Sequence, residues 1–160
     1  MRRPAAESDF EQVCSIYMDE RVIPFLGYDP MSKEEFKTVY AELIAGGNFF
    51  VHEPEGQIAG FYKTNHYPGR AAHVAYIGSF AVNPAFQGRG LATAMLKEAI
   101  ADLRNKGIKR IELIVESDNP AAIALYEKCG FEKEGRLRKF YKRASEEHYV
   151  DDYLMALLFA

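Results

Sequence analysis

Apolar side chains recur at helical spacing in some stretches of the chain and at every second position in others, and the two periods alternate. Phe10, Val13, Cys14 and Tyr17 share one helical face, with Ser8 or Asp9 placed to cap it, and the helix is expected to end near Glu20. Ser32 with Glu35 forms a capping-box pair for a second helix through Leu43 and Ile44, stopped by Gly46 and Gly47. Residues 48–52 and 58–66 flank Pro54-Glu55-Gly56 and predict a β-hairpin, followed by a third strand over 74–82. Leu91, Met95, Ala99 and Leu103, joined by Leu96 and Ile100, give the longest helix a broad apolar face, and Gly107 stops it. Ile111, Leu113 and Val115 alternate with Arg110, Glu112 and Ile114 in the next strand. Asp118-Asn119-Pro120 then opens a helix in the order cap, then proline, and Gly130 closes it. Residues 131–141 and 149–159 read as an antiparallel pair joined by a polar segment. The order predicts an α/β fold, a mixed sheet with helices on both faces. Residues 21–31 form a connection rich in Val22, Ile23, Phe25, Leu26 and Tyr28, which lines a pocket or packs down.

No repeat or shift in composition divides the 160 residues, so a single domain over 1–160 is expected. With 48% hydrophobic and 27% charged residues the composition is that of an ordinary globular protein. A net charge of -3 gives no general basic field, so neither nucleic acid nor an anionic membrane is an expected partner, and a small molecule is. Cys14 and Cys129 form neither a disulfide framework nor a zinc set, and His52, His66 and His148 lack ligand spacing, so no metal is expected. So few and distant cysteines make a reducing cytoplasm the expected compartment; the opening residues have no apolar run after their arginines, and nothing approaches a bilayer-spanning length.

The chemistry concentrates where the strand over 74–82 runs through a short loop into the longest helix. Gly88 and Gly90 let backbone amides approach an anion, and the first helical turn offers unpaired N–H groups at the positive end of the dipole. That combination makes a pyrophosphate cradle, although the same two glycines also suit a plain strand-to-helix turn. A P-loop is excluded, because no GxxxxGK run exists. A dinucleotide fingerprint, which would make the chain a nicotinamide-dependent oxidoreductase, needs a third small residue where Thr93 stands and no loop such as 83–87 before the first glycine.

Gln87-Gly88-Arg89-Gly90-Leu91-Ala92 resembles the Q/R-x-x-G-x-G/A signature of the GNAT superfamily of N-acetyltransferases. Asn119 and Tyr126, seven residues apart ahead of Gly130-Phe131, resemble that superfamily's later motif. The resemblance runs from about His73 onward, and the ending Glu134-Gly135, Tyr149-Val150-Asp151 and Met155-Ala156 is similar to bacterial L-amino-acid N-acetyltransferases. It implies a mostly antiparallel sheet of about seven strands. It also implies an acetyl-CoA co-substrate, a primary-amine acceptor such as a free amino acid, a homodimer, and direct attack in a ternary complex. Backbone groups of Phe80, Ala81 and Val82 would then meet the pantetheine arm, residues Gln87, Gly88, Arg89, Gly90, Leu91, Ala92 and Thr93 the pyrophosphate, and Asn119 the pantetheine. Tyr126 would lie near the sulfur as general acid, a role its protonated phenol suits chemically.

The base is less marked. Where some members carry an acid or a histidine on the strand, eleven residues before the signature Gln, this chain has Tyr76. Glu112 and Glu116, on one side of the following strand, are the candidates in its place, with His73 behind them. Cys129 has no adjacent base and reads as a packed residue. Alternatives of other kinds are a protein N-terminal or lysine acetyltransferase and a non-catalytic acyl-CoA-binding module.

Overall fold

Arg2–Pro4 forms a strand, β1, that no hydrophobic alternation announces; it pairs antiparallel with β2 (Phe49–His52) in the register Arg2↔His52, Arg3↔Val51, Pro4↔Phe50. As an edge strand it tolerates its proline. The computed structural model describes residues 2–160. Its seven strands stand in the order β1-β2-β3-β4-β5-β7-β6, with β3 Gly60–His66, β4 Val74–Val82, β5 Arg110–Glu116, β6 Glu132–Tyr141 and β7 Val150–Leu158. Four α-helices accompany them: α1 Phe10–Tyr17, α2 Lys33–Ile44, α3 Leu91–Asn105 and α4 Pro120–Lys128. The chain divides into two compact units, one of residues up to Thr64 with Ser79–Ala92, the other of Asn65–Gly78 with Thr93–Ala160.

In the first unit, Asp9 does not cap α1 as expected. Its carboxylate instead accepts two hydrogen bonds from Arg3, at 2.7 and 2.8 Å, and one from the Ala6 N–H at 2.8 Å. α1 also stops at Tyr17 rather than near Glu20, because the Asp19 carboxylate takes the Arg21 N–H at 2.8 Å and turns the chain. Ser32 caps α2 as its capping-box position predicts, accepting from the Glu35 N–H at 3.1 Å. The hairpin forms with Phe50 opposite Tyr62 and Val51 opposite Phe61. Tyr17, Phe36, Phe49 and Phe61 build the centre of this unit's core, with the Tyr17 and Phe36 rings 4.9 Å apart. Val22, Ile23 and Leu26 join that core, so the apolar connection packs down, and Phe25 and Tyr28 are its exposed large hydrophobics.

In the second unit, β5 runs parallel to β4 over Val74–Tyr76 and antiparallel to β7 along its whole length. Alternation sends Ile111, Leu113 and Val115 into the core with Met95, Leu96, Ala99 and Leu103 of α3. Glu112, Ile114 and Glu116 take the other face of β5. β6 and β7 pair antiparallel as the alternation of 131–141 and 149–159 predicts. No helix among the described residues is long and apolar enough to cross a membrane.

Candidate active site

The first unit supplies the phosphate-type cradle. Asn83 pins its entrance: the Asn83 N–H donates to Ala59 O at 2.7 Å, Nδ2 donates to Ile58 O at 3.1 Å, and Oδ1 accepts from the Ala85 N–H at 3.0 Å. Gln87 leaves this turn extended, and Gly88 and Gly90 follow with φ of +80° and +73°, a region that side chains with a β-carbon enter only with strain. An added Cβ at either glycine would meet nothing within 4 Å, so the backbone there faces open space. Arg89 is exposed, its guanidinium 5.0 Å from the centre of the Phe86 ring. Leu91, Ala92 and Thr93 begin α3, whose first N–H groups lack helical partners by geometry. Open backbone, helix N-terminus and a free-standing cation fit a pyrophosphate.

Upstream, Ser79 has φ +49°, an unusual value for a residue with a β-carbon. The small pair Gly78-Ser79 is the one signal of this kink in the sequence. It lies past Tyr76, the last residue of β4 in register with β5, and Phe80, Ala81 and Val82 complete β4 beyond it. Ala81 is buried, and the Phe80 ring stacks on Tyr62 at 6.1 Å. A separate cleft of about 250 Å³ in this unit, lined in part by Glu11 and Asp19, contains none of the predicted site residues, and its carboxylates do not suit a phosphate.

The second unit gathers the titratable groups. Glu116 is only 8% exposed, not the solvated surface acid that alternation on β5 suggests. Burial pushes its carboxyl up to about 7, with the charge of Asp152 adding to the rise and hydrogen bonds from its own backbone and from Asn119, together with the charge of Arg143, opposing it. Glu112 is differently placed. Tyr67 donates to its Oε1 at 2.7 Å, and Arg110 donates to Oε2 at 2.9 Å. Asn119 caps α4, with Oδ1 accepting from the Ala122 N–H at 3.3 Å. Tyr126 is buried with its ring edge-on to Phe131 at 6.0 Å. Burial pushes its phenol up first, and the nearby Glu116 and Tyr76 add to it, so it stays protonated well above neutral pH. Tyr76 is raised to about 12, by burial and then by Tyr67, Asp152, Glu116 and Glu112. Asp152, which sequence reasoning passed over, is 2% exposed and pushed up to about 6 by burial and by Asp118. Among the described residues no group of His, Cys, Asp and Glu is arranged to hold a metal ion.

Along the chain, the glycine turn at the start of α3 is followed by the raised carboxyl of Glu116 and then by the buried Tyr126. Residues 10–131 match the Acetyltransferase (GNAT) family, and the chain belongs to it. It is 32% identical over 127 residues to the N-alpha-acetyltransferase RimI of Mycobacterium tuberculosis, covering 79% of this chain and 77% of that protein. It is 43% identical over 88 residues to the L-amino acid N-acetyltransferase AaaT of Escherichia coli, covering 54% of this chain and 52% of that one. Against the mycothiol acetyltransferase of Saccharomonospora viridis, the match spans only 30% of the relative's length. Among solved structures, a GNAT superfamily phosphinothricin acetyltransferase from Sinorhizobium meliloti in complex with AcCoA shares the fold, with a TM-score of 0.79, 20% identity, and coverage of 99% of this chain and 87% of that one.

Proposed function

We propose that the chain transfers the acetyl group of acetyl-CoA to a primary amine by direct attack, with Glu116 as general base and Tyr126 as general acid. The observation that carries this reading is a buried carboxyl raised to about 7 in the same unit as a buried, protonated tyrosine, two titrating groups whose environments hold them to opposite tasks. Glu116 takes a proton from the acceptor ammonium. The freed nitrogen forms its bond to the acetyl carbon, the carbon–sulfur bond breaks, and Tyr126 gives its proton to the departing sulfur. The second surplus nitrogen proton re-protonates Tyr126, and Glu116 sheds its proton to solvent, which leaves amide, thiol and one proton. Glu116 is preferred over Glu112 because the Arg110 and Tyr67 contacts already occupy the latter.

The cradle at Gln87–Thr93 holds the pyrophosphate in this reading, with backbone groups of Phe80, Ala81 and Val82 along the pantetheine. Asn119 serves by capping α4 and orienting Glu116. The acceptor is a primary amine, a free amino acid as for the L-amino acid N-acetyltransferase of Escherichia coli, or another α-amino group as for the N-alpha-acetyltransferase of Mycobacterium tuberculosis. The deciding experiment is free-thiol release from acetyl-CoA across amino acids, polyamines, aminoglycosides and N-terminal peptides. Amine-dependent release supports transfer, and binding of acetyl-CoA with no release across the panel replaces it with an acyl-CoA-binding module.

The cradle makes its own prediction. Gly90→Val places a branched side chain on a backbone of φ +73°, where nothing in the protein lies within 4 Å. Left-handed backbone costs an L-residue about 1–2 kcal/mol, so relaxation toward negative φ turns the amides away from the anion. Calorimetry should show acetyl-CoA binding about tenfold weaker or worse. Unchanged affinity removes these residues from the pyrophosphate site.

A further inference from the structure

Along the ladder between β5 and β7, Glu116 stands directly opposite Asp152. Opposed residues on antiparallel strands hold their Cβ atoms about 4.5–5.5 Å apart on one face, so the two carboxyl groups share an environment. Both are almost wholly buried, at 8% and 2% exposure. Like charges so placed repel, and neutral or apolar side chains would serve the sheet better. The charge of Arg143 reaches both carboxyls and opposes their rise. Arg143 binds Asp118 at 2.7 and 3.1 Å and Glu146 at 2.8 Å, while Arg136 binds Asp151 at 2.7 Å. Oδ1 of Asp152 is buried without a hydrogen-bond partner among the described residues. Arg143 offsets only part of the effect, and the charge of Asp152 still adds to the rise at Glu116.

We propose that Asp152 is a positioning residue for acetyl transfer that acts through Glu116, making it a stronger base and giving the pair its attraction for the ammonium form of the acceptor. The proposal rests on the transfer reading with Glu116 as base. Asp152 exchanges no proton in the step: one N–H bond of the ammonium breaks, its electron pair stays on nitrogen, and the proton goes to Glu116. Burial raises both carboxyls, and the charge of Asp152 adds to the rise at Glu116. The other groups facing the pair are Tyr76 of β4, Tyr126 of α4, and Asp118, Asp151 and Arg143 from the adjoining segments. Both phenols are raised, so they stay neutral across this range; Asp152 is the carboxylate whose charge raises Glu116, and Arg143 opposes it.

Asp152→Asn keeps the shape and removes the charge. Carbon-13 NMR of the side-chain carboxyl carbons should show Glu116 titrating about one pH unit lower in this variant, since a like charge has been taken away. The acidic limb of kcat/KM should move by the same amount, with kcat lower by about three- to tenfold as the base weakens. Ethylammonium at millimolar concentration, used as the probe cation, should perturb the Glu116 resonance in the native protein and much less in the variant. A folded variant with an unmoved Glu116 midpoint overturns the proposal, because a merely structural Asp152 would leave that midpoint alone. Should Asp152→Asn not fold, the native titration decides: an inflection in the Glu116 curve at the Asp152 midpoint supports coupling, and independent single-step curves overturn it. Retained amine-dependent thiol release with an unmoved Glu116 sinks this inference alone, whereas no release with any amine sinks the transfer reading and the role given to Asp152 with it.

Discussion

Tyr126→Phe is expected to fold, to bind acetyl-CoA and to acetylate about 10² to 10⁴ times more slowly in a single turnover, the range that general-acid assistance typically contributes. The substitution keeps the aromatic ring and its edge-on contact with Phe131. It removes only the hydroxyl, so stability should change little. Burial and the proximity of Glu116 hold the native phenol protonated throughout the working pH range, which makes it a dependable proton source and a weak one. The rate loss should therefore be largest for the thioester's poor sulfur leaving group and smaller for a thioester whose thiol is more acidic, because a better leaving group needs less protonation. Steady-state turnover would mask part of the effect if product release limits the native protein, hence the single-turnover comparison. A folded variant that binds the thioester and acetylates at the native rate leaves Tyr126 as a packed wall. A variant that instead loses stability shows that the hydroxyl satisfied a buried partner.

The elements that carry strong local signals were legible in the sequence. Ser32 capping α2, Asn119-Pro120 opening α4, the glycines closing the helices and the period-two alternation of β5 each follow from short-range chemistry, and the structure keeps them. The turn into α3 was legible for the same reason, since Gly88 and Gly90 both take the left-handed backbone that favours glycine. What escaped depends on contacts distant in sequence. β1 is ordered by pairing with residues about fifty positions away and by the Arg3 contacts to Asp9 and Glu53, and no three-residue pattern encodes that. Asp9 could not be recognised as an ion-pair partner in place of a helix cap until Arg3 was beside it. Burial of Glu116 was hidden because alternation assigns a face and not its cover. Asp152 was hidden because the register of β7 on β5, not its own neighbourhood, sets it opposite Glu116.

Glu116→Gln should yield a protein that is more stable at pH 8 and nearly inactive, a pairing that a structural carboxylate cannot produce. The sign follows from the direction of the shift. The folded carboxyl titrates near 7 against an ordinary 4.5, so its favourable contribution to folding is complete below about 4.5 and is lost as pH rises through about 7. At pH 8 the native protein carries an ionised, buried carboxylate opposite Asp152, a burden of at most about 3 kcal/mol for a gap of that size. Gln has nearly the same shape and no charge, so it removes most of that burden and can still hydrogen-bond with Asn119. For a chain of this length each kcal/mol is worth about 2–4 °C in Tm. Thermal unfolding should therefore place the variant several degrees above the native protein at pH 8, with the two converging toward pH 4.5. Acetylation should fall by about 10² to 10⁴, and the rise of kcat/KM through neutral pH should disappear with the group that causes it. Lower stability than native at pH 8 would mean that the Asn119 contact, not desolvation, dominates at Glu116. A variant that keeps both the rate and its pH limb would pass the proton to Glu112 or to water and remove Glu116 from the chemistry.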